Sequence, residues 1–227
     1  MGASLNFNAT STQVDCGSAS GIDDMFNGGG TMVAWINPNT VGEGSFGRVY
    51  DKGDSSNGTY CYLLNASGSY RVYFRAGHST AEGAWYTSTT YSLNAWRSVW
   101  ITYDDDSTAN NPSIWVDGTS SSITEFQAPS GTYGSDAAIN LIIGNESAGT
   151  RTFDGEICHM QFWTRILSTD EMFEATYKPG TVTSGLAAYW PLIGSTTSAR
   201  DLSGNGNTGT ITDGTESLDG PPIRSAS

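Results

Sequence analysis

Basic side chains are scarce in this sequence. Only 10 of its 227 residues are Lys or Arg, whereas 23 are Asp or Glu, and the formal net charge at pH 7 is −13. A chain of this charge repels phosphate groups, and no cluster of basic residues in the sequence offsets that repulsion. We therefore expect neither nucleic acid nor an anionic membrane surface as a partner.

Long apolar segments and paired metal-ligating residues are also missing. No segment approaches the roughly 18 consecutive apolar residues of a membrane-spanning helix, so we expect no insertion into a bilayer. The three cysteines, Cys16, Cys61 and Cys158, are an odd number, which argues against a disulfide scaffold. No CxxC pair is present, and the two histidines have no partner at a spacing typical of a zinc site. Residues 1–8 have neither the basic nor the apolar region of a signal peptide.

Glycine, hydroxyl side chains and aromatic residues take the place of the missing charges. Ser and Thr together make up about a quarter of the chain, 28 residues are Gly, and 11% are aromatic. Such a composition favours strands over helices, and it excludes a helical bundle, a coiled coil or a repeat solenoid. The aromatic content also argues against intrinsic disorder, because disordered segments have few groups to bury.

Strand-like segments recur along the chain with turn residues between them. Apolar and polar residues alternate clearly over residues 69–75, and the strand pattern is strongest over residues 96–103. Residues 168–171 form a capping box before one short helix, which residues 178–180 end. About a dozen strands with one helix predict an all-β fold, a two-sheet antiparallel jelly-roll sandwich.

No change of composition divides the chain into separate domains. We predict one domain over residues 1–220, in which residues 186–220 return to the same sandwich. That Gly-rich segment is too short to fold alone. Residues 221–227 begin with Pro221 and Pro222 and are predicted to be a C-terminal tail.

A set of short motifs occurs in a characteristic order. They are SLNFN (4–8), VAWINP (33–38), VDG (116–118), IGN (143–145), FDGEI (153–157) and RILSTDE (165–171). In this order and spacing they resemble the laminin-G-like, concanavalin A-like jelly rolls, and the resemblance covers roughly residues 4–177. It implies the same sandwich fold. It leaves the function open, because the family includes lectins, adhesion modules, enzyme accessory domains and virion proteins.

The resemblance also bears on catalysis. Some glucanases of this fold place acidic residues on one strand face in a Glu-x-Asp-x-x-Glu motif, and a retaining pair holds its carboxyl groups roughly 5–5.5 Å apart. The comparable segment here has Glu156, but Cys158 and Gln161 stand at the other two positions. The second carboxylate is missing, so we predict that the protein is not an enzyme.

A segment near the C-terminus resembles the first half of a calcium-binding loop. It places oxygen-bearing side chains at alternate positions before a glycine, the arrangement that Ca²⁺ prefers. The distal Glu of such a loop is absent, so a remote residue would have to complete the ligand shell. The predicted ligands are Asp201, Ser203, Asn205, Asn207 and, from that remote segment, Asp154. The alternative is a stack of turns in which Asp and Asn side chains hydrogen-bond their own backbone.

Aromatic and polar residues outside the predicted core suggest glycan binding. Sugar rings stack on aromatic side chains, while Asp, Asn and Arg bind the hydroxyl groups. Trp85 and Tyr86 fall within residues 77–93, which we interpret as a connection between strands. The predicted glycan-binding residues are Trp85, Tyr86, Asp104, Asp106 and Asn145. The alternatives are a tryptophan half-buried beneath a loop and a solvated hairpin turn at the aspartates.

Trp100 and Trp115 lie on strand faces opposite their apolar neighbours, because side chains alternate along a strand. Unless another element covers them, they face outward and form an assembly surface. Two functions therefore remain. The first is a non-catalytic glycan-recognition or adhesion module on an exposed extracellular or virion surface. The second is a structural assembly protein, such as a phage head-decoration, fibre or filament subunit, that contacts neighbouring subunits or forms an oligomer.

Overall fold

Two antiparallel sheets stack face to face in the computed structural model, which describes residues 3–223. Strands are numbered along the chain. The first sheet has eight strands, in the order β11 (Thr119–Ser121), β10 (Ser113–Val116), β9 (Arg97–Tyr103), β3 (Gly30–Pro38), β14 (Asp154–Trp163), β1 (Ser4–Asn8) and β18 (Thr215–Ser217), with β15 (Leu186–Trp190) also paired to β14.

The second sheet has ten strands. Their order is β12 (Ile123–Gln127), β7 (Gly83–Thr87), β6 (Ser69–Ala76), β5 (Gly58–Asn65), β4 (Arg48–Gly53), β13 (Ile142–Ile143), β2 (Gln13–Asp15), β17 (Gly209–Thr212) and β16 (Ser198–Ala199), with β8 (Tyr91–Ser92) also paired to β6. The other secondary-structure elements of residues 3–223 are one α-helix, α1 (Thr169–Tyr177), and two short 3₁₀ turns, Ser20–Ile22 and Glu43–Ser45. The predicted antiparallel sandwich with one short helix is confirmed.

The main core lies between the two sheets. In β6, Tyr70, Val72 and Phe74 enter this core and are fully buried. In β9 on the facing sheet, Val99 and Ile101 do the same. Because strand side chains alternate, the residues between them lie on the outer faces of the sheets. Each strand of the sandwich thus contributes to two surfaces.

Helix α1 begins as its capping box predicts. The Ser168 hydroxyl accepts a hydrogen bond from the Glu171 amide, and the Glu171 carboxylate accepts one from the Ser168 amide. Arg165 binds the same carboxylate with two hydrogen bonds, of 2.6 and 3.0 Å. The indole of Trp35 donates to the Thr176 carbonyl at 3.0 Å and ties the helix to β3. The helix therefore packs on the outer face of the eight-stranded sheet.

This helix corrects the prediction for Trp100. Trp100 does lie on the outer face of β9, but it is fully buried there. The ring of Phe173, on α1, meets it edge-on at a centroid distance of 5.0 Å, and Trp115 stacks on it at 5.9 Å. Trp100 is thus part of a second small core beneath the helix, and it is not available as an assembly surface. Trp115 is half-buried at the edge of that core.

The C-terminal segment contributes strands to both sheets. β15 pairs with β14, β17 pairs with β2, and β18 pairs with β1. Of the predicted tail, residues 221–223 are not in a helix or strand, and residues 224–227 lie outside the described residues. Between residues 3 and 223, no helix has the length and apolar character needed to cross a bilayer.

The three cysteines are all buried, and the structure shows each of them unpaired.

Candidate functional site

The outer face of the ten-stranded sheet has a row of tyrosines and arginines. Strands β4 to β7 send their apolar side chains into the main core, and the alternate residues of these strands face outward. We call this surface the Tyr/Arg face. It consists of Arg48, Tyr60, Tyr62, Arg71, Tyr73, Arg75 and Tyr86.

The tyrosines lie side by side because their strands are in register. Tyr62 is directly opposite Tyr73 on β6, and Tyr73 is directly opposite Tyr86 on β7. The ring centroids are 4.6 Å apart in the first pair and 5.5 Å apart in the second, and both pairs stack. Tyr60 continues the row, at 6.2 Å from Tyr62. Cross-strand aromatic pairs of this kind stabilise a sheet.

Arg48 lies over one end of this row. Its guanidinium carbon is 4.5 Å from the ring centroid of Tyr60 and 4.9 Å from that of Tyr62. Two carboxylates hold the group from the side, Asp51 at 2.8 Å and Glu146 at 3.5 Å. Burial raises the pKa of Asp51 to about 6, although the neighbouring Arg48 opposes that shift. The arginine is thus held both by aromatic rings and by ion pairs.

Two further arginines lie over the other tyrosines. The guanidinium carbon of Arg75 is 5.3 Å from the ring centroid of Tyr73, and that of Arg71 is 5.2 Å from the centroid of Tyr86. Arg75 also pairs with Glu82. Guanidinium groups stack well on aromatic rings because they are planar and weakly hydrated. The guanidinium groups of these arginines therefore stack on the tyrosine rings.

Accessibility differs along the surface. Tyr60, Tyr62 and Tyr73 are only 8%, 4% and 3% exposed, because the arginines and neighbouring rings cover them. Phe46 and Phe126 flank the row and are 37% and 67% exposed. A ligand on this face would therefore meet the guanidinium groups and the flanking rings, and not the faces of the central tyrosines.

A cavity of about 200 Å³ opens on the Tyr/Arg face. Its lining residues are Phe46, Arg48, Tyr60, Tyr62, Arg75 and Arg151. The Arg151 guanidinium lies 5.5 Å from the ring centroid of Phe46. Burial raises the pKa of Tyr60 to about 12, so its hydroxyl keeps its proton at neutral pH and donates it to Glu82 at 3.1 Å. The lining thus combines aromatic surface with hydrogen-bond donors, a combination suited to a sugar.

The structure does not bring the predicted glycan-binding residues together. Trp85 lies on strand β7 and not in a loop, and its side chain is fully buried in the main core. Its indole N–H donates to Asn111 at 2.7 Å. The prediction for Trp85 is therefore wrong, since alternation along β7 turns Tyr86 outward and Trp85 inward. Asn145 is also fully buried, and it donates to Thr152 at 2.8 Å, so it too cannot contact a glycan.

The two predicted aspartates lie in the turn after β9. Asp104 accepts a hydrogen bond from the Asp106 amide at 3.0 Å, and Asp106 accepts one from the Gly28 amide at 3.1 Å. They line two separate depressions, and Tyr86 borders neither of them. Of the five predicted residues, Tyr86 alone belongs to the Tyr/Arg face. A glycan contact at the two aspartates stays a prediction.

One of these depressions contains unpartnered polar atoms. Its volume is about 290 Å³, and His78, Asp105 and Tyr133 contribute to its wall. One oxygen of Asp105, Nε2 of His78 and the hydroxyl of Tyr133 are buried without a hydrogen-bond partner. Burial raises the pKa of Asp105 to about 7, and the neighbouring Asp106 adds to the effect. Asp105 therefore has an unfavourable environment for its charge.

The predicted calcium loop is a hydrogen-bonded clamp. The Asp201 carboxylate accepts from the backbone amides of Tyr189, Ser203 and Asn207, at 2.9 to 3.0 Å, and from the Ser203 hydroxyl at 2.9 Å. Burial would raise the pKa of Asp201, but these hydrogen bonds outweigh burial and hold the pKa below its usual value. This arrangement matches the turn alternative.

The amide side chains of the same loop bind strand β15. Asn205 and Asn207 both donate to the Ala187 carbonyl, at 2.9 and 3.1 Å. Asp154, at the start of β14, instead accepts a hydrogen bond from the Thr40 hydroxyl at 2.6 Å. In the part of the chain that the structure describes, no group of three or more His, Cys, Asp or Glu side chains is arranged to hold a metal ion. Calcium binding by this loop stays a prediction.

Comparison with protein families identifies the fold. A family model described as the concanavalin A-like lectin/glucanases superfamily matches residues 8–172. The chain belongs to this superfamily. The family that the sequence motifs resemble is thereby confirmed. No curated protein matches the sequence.

Three solved structures share the concanavalin A-like fold at low sequence identity. A Bacteroides ovatus ATCC 8483 protein proposed to bind carbohydrate has a TM-score of 0.70 and 18% identity over 99% of this chain. A heptameric SAP-like pentraxin from Limulus polyphemus has a TM-score of 0.54 and 12% identity, covering 77% of this chain and 81% of its own. The enzymatically active domain of tailspike protein 2 from bacteriophage CBA120 has a TM-score of 0.52 and 14% identity over 85% of this chain.

This chain spans 62% of the Bacteroides protein and 33% of the tailspike chain.

The Tyr/Arg face was not predicted from the sequence, although a signal was present. Strand β5 reads GTYCYLLN and β6 reads SYRVYFRA. The solvent face of an ordinary strand is rich in small polar or charged residues. Here that face carries Tyr60, Tyr62 and Tyr73 together with Arg71 and Arg75. Tyrosine and arginine at alternate positions of two consecutive strands could have indicated a binding surface.

Proposed function

We propose that this protein is a non-catalytic carbohydrate-binding module and that the Tyr/Arg face is its glycan-binding surface. The observation that supports this proposal is the cavity on that face, where the exposed ring of Phe46 and three arginine side chains border the same space. Aromatic rings fit the C–H faces of sugars, and fixed donors fit their hydroxyl groups. A site of this kind binds its ligand without chemistry, since it needs no nucleophile or proton donor.

The fold supports the same function. The superfamily is named for lectins as well as glucanases, and the Bacteroides ovatus protein with the same fold is one proposed to bind carbohydrate. Fold alone does not decide function, so the argument rests on the face and the fold together. Adhesion, and action on an extracellular or virion surface, stay predictions.

The strand that matches the glucanase motif supports a non-catalytic role. Glu156 is on β14, but Cys158 is fully buried, and burial raises the pKa of its thiol. Gln161 is also fully buried, where it donates to the Ala175 carbonyl and accepts from the Gly180 amide, both at 3.0 Å. The last position of the motif therefore holds helix α1 in place. It supplies no carboxylate for general acid or base catalysis.

A glycan array followed by calorimetry tests the proposal. The double variant Phe46→Ala and Phe126→Ala removes the two exposed rings that flank the row of tyrosines, and one of them, Phe46, lines the cavity. Neither change opens the main core, because Phe46 is 37% exposed and Phe126 is 67% exposed. Leu218→Ala is the matched control, since Leu218 is 82% exposed and follows β18 of the other sheet.

We expect the wild-type protein to bind a subset of glycans and the double variant to bind them at least tenfold more weakly, which corresponds to about 1.4 kcal/mol. The Leu218→Ala control should bind as the wild type does. An array without any signal, or full affinity in the double variant, contradicts the proposal.

Assembly through protein contacts is the second candidate, and one observation favours it. Phe173, on α1, is 39% exposed, and both Phe173 and half-buried Trp115 pack on the ring of Trp100. An apolar patch of this kind fits a subunit contact. Sedimentation analysis tests it: self-association that Phe173→Ser abolishes supports assembly, and a monomer at high concentration argues against self-assembly on this face.

A further inference from the structure

We infer that the Tyr/Arg face selects sugars that bear a carboxylate over their neutral counterparts. This inference rests on the proposed function, since it names the class of glycan that the same face would bind. Its starting point is the distribution of positive charge. The chain contains eight arginines, and four of them, Arg48, Arg71, Arg75 and Arg151, lie on the Tyr/Arg face or line its cavity. Half of the arginines of a protein of net charge −13 are thus gathered on one face.

The cavity lining points in the same direction. Three of its six lining residues are arginines, three are aromatic, and none is acidic. Asp51 and Glu146 pair with Arg48 from outside that lining, and Glu82 pairs with Arg75. A carboxylate placed in the cavity would therefore meet guanidinium groups before it met any carboxylate of the protein.

Two of the four arginines retain their binding capacity. Among residues 3–223, Arg71 and Arg151 form no ion pair with a carboxylate. A guanidinium group binds a carboxylate with two parallel hydrogen bonds, and such charged hydrogen bonds are roughly twice as strong as neutral ones. These donors match a carboxylate better than a hydroxyl group.

Stacking on aromatic rings holds the guanidinium groups in place before a ligand binds. Each guanidinium group of Arg48, Arg71, Arg75 and Arg151 lies 4.5 to 5.5 Å from the centroid of an aromatic ring. A group already held in place loses less conformational freedom when a ligand binds, so more of the interaction energy appears as affinity. The aromatic rings therefore orient the guanidinium N–H donors in addition to offering a surface to the sugar.

The net charge of the whole protein further restricts the class of acidic glycan that we expect to bind. A net charge of −13 repels a densely charged polyanion at a distance, as it repels a phosphate backbone. The cavity has a volume of only about 200 Å³. Both features favour an isolated acidic sugar, terminal or flanked by neutral sugars, over a uniformly charged polysaccharide.

Titration with methyl glucuronide and methyl glucoside tests this selectivity, because the two sugars differ only in a carboxylate at C6. Binding is followed by NMR chemical shifts, which detect weak monosaccharide complexes. Arg151→Gln removes one positive charge from the cavity lining, and Arg151 makes no ion pair whose loss would leave a carboxylate unpaired. Arg200→Gln is the control for the same change of charge, because Arg200 is exposed beside β16, at the far end of the sheet.

We expect the wild type to bind the glucuronide at least tenfold more tightly than the glucoside. Arg151→Gln should reduce that ratio severalfold, and Arg200→Gln should leave it unchanged. Equal affinity for the two sugars, or a ratio that Arg151→Gln does not alter, overturns the selectivity for acidic sugars while leaving carbohydrate binding intact. Absence of binding to either sugar, together with an empty glycan array, overturns the proposed function itself.

Discussion

Replacing Asp201 by Ala should remove the clamp that holds the C-terminal segment on strand β15. The carboxylate accepts four hydrogen bonds, three of them from backbone amides. Two of those amides belong to Tyr189 and Asn207, which are only 6% and 4% exposed, so water cannot easily replace the lost acceptor. The amide of Ser203 is in a more exposed part of the loop and can be hydrated.

The size of the effect follows from the two buried amides. Each buried N–H group that loses its acceptor costs about 1–3 kcal/mol. Allowing for some relaxation of the loop, we expect the free energy of unfolding to fall by about 3 kcal/mol. For a domain of this length, that corresponds to a decrease in Tm of roughly 6–12 °C.

Thermal unfolding with about 5 mM calcium, or with excess chelator, measures this effect and tests calcium binding in one experiment. If the loop binds no ion, Asp201→Ala lowers Tm equally in both conditions. If it does bind calcium, the ion raises the Tm of the wild type and not that of the variant. Asp213→Asn is the matched control. It removes the same charge from an exposed position with a positive φ of 52°, which Asn also tolerates.

A decrease in Tm of less than about 2 °C for Asp201→Ala, in both conditions, would refute the argument that the hydrogen bonds of Asp201 stabilise the fold. It would show that the four hydrogen bonds are readily replaced by water or by a shift of the loop. A similar decrease in Asp213→Asn would show that charge alone explains the effect.

Two further substitutions test buried charges. Asp105→Asn should stabilise the protein at pH 8 by about 2 kcal/mol, roughly half of what the full pKa shift corresponds to, because solvent screens a charge beside an open depression. Burial raises the pKa of Asp105 from the ordinary value of 3.8 to about 7 in the folded state, so its carboxyl destabilises the fold increasingly as pH rises from about 4 to 7. A stability difference that is the same at pH 5 and pH 8 would refute this. Lys52→Met should destabilise by about 3–5 kcal/mol, because Lys52 is fully buried between Asp23 and Asp136 at 3.1 and 3.0 Å and its loss leaves their charges uncompensated. An unchanged Tm would show that these carboxylates take up protons or water at little cost.

The sequence predicted the fold class well because strand patterns are local. Alternation in β6 and β9 and the capping box at Ser168 and Glu171 each involve residues within a few positions of one another. Scarcity of Lys and Glu, with many Gly, Ser and Thr residues, pointed to strands for the same reason. Local propensity and pattern agreed, and agreement of this kind is what allows a fold class to be inferred.

The candidate site was largely missed because alternation does not say which face is inside. Trp85 and Tyr86 are neighbours on one strand, and the prediction treated both as exposed. Pairing of β7 with β6 and β12 decided that Trp85 enters the main core. The prediction for Trp100 failed for a related reason. Its face is outward, but a helix some 70 residues further along the chain covers it.

By itself, the sequence determined the sandwich class, the short capped helix, the expectation that nucleic acid is not a partner, and the membership of the family that its motifs resemble. The tertiary structure decided which aromatic residues are exposed and which residues meet. Phe46, Arg75 and Arg151 are widely separated in sequence, yet they line one cavity. Register between strands and the packing of loops at the sheet edge bring them together. Such long-range contacts depend on the whole chain, and no local pattern of residues specifies them.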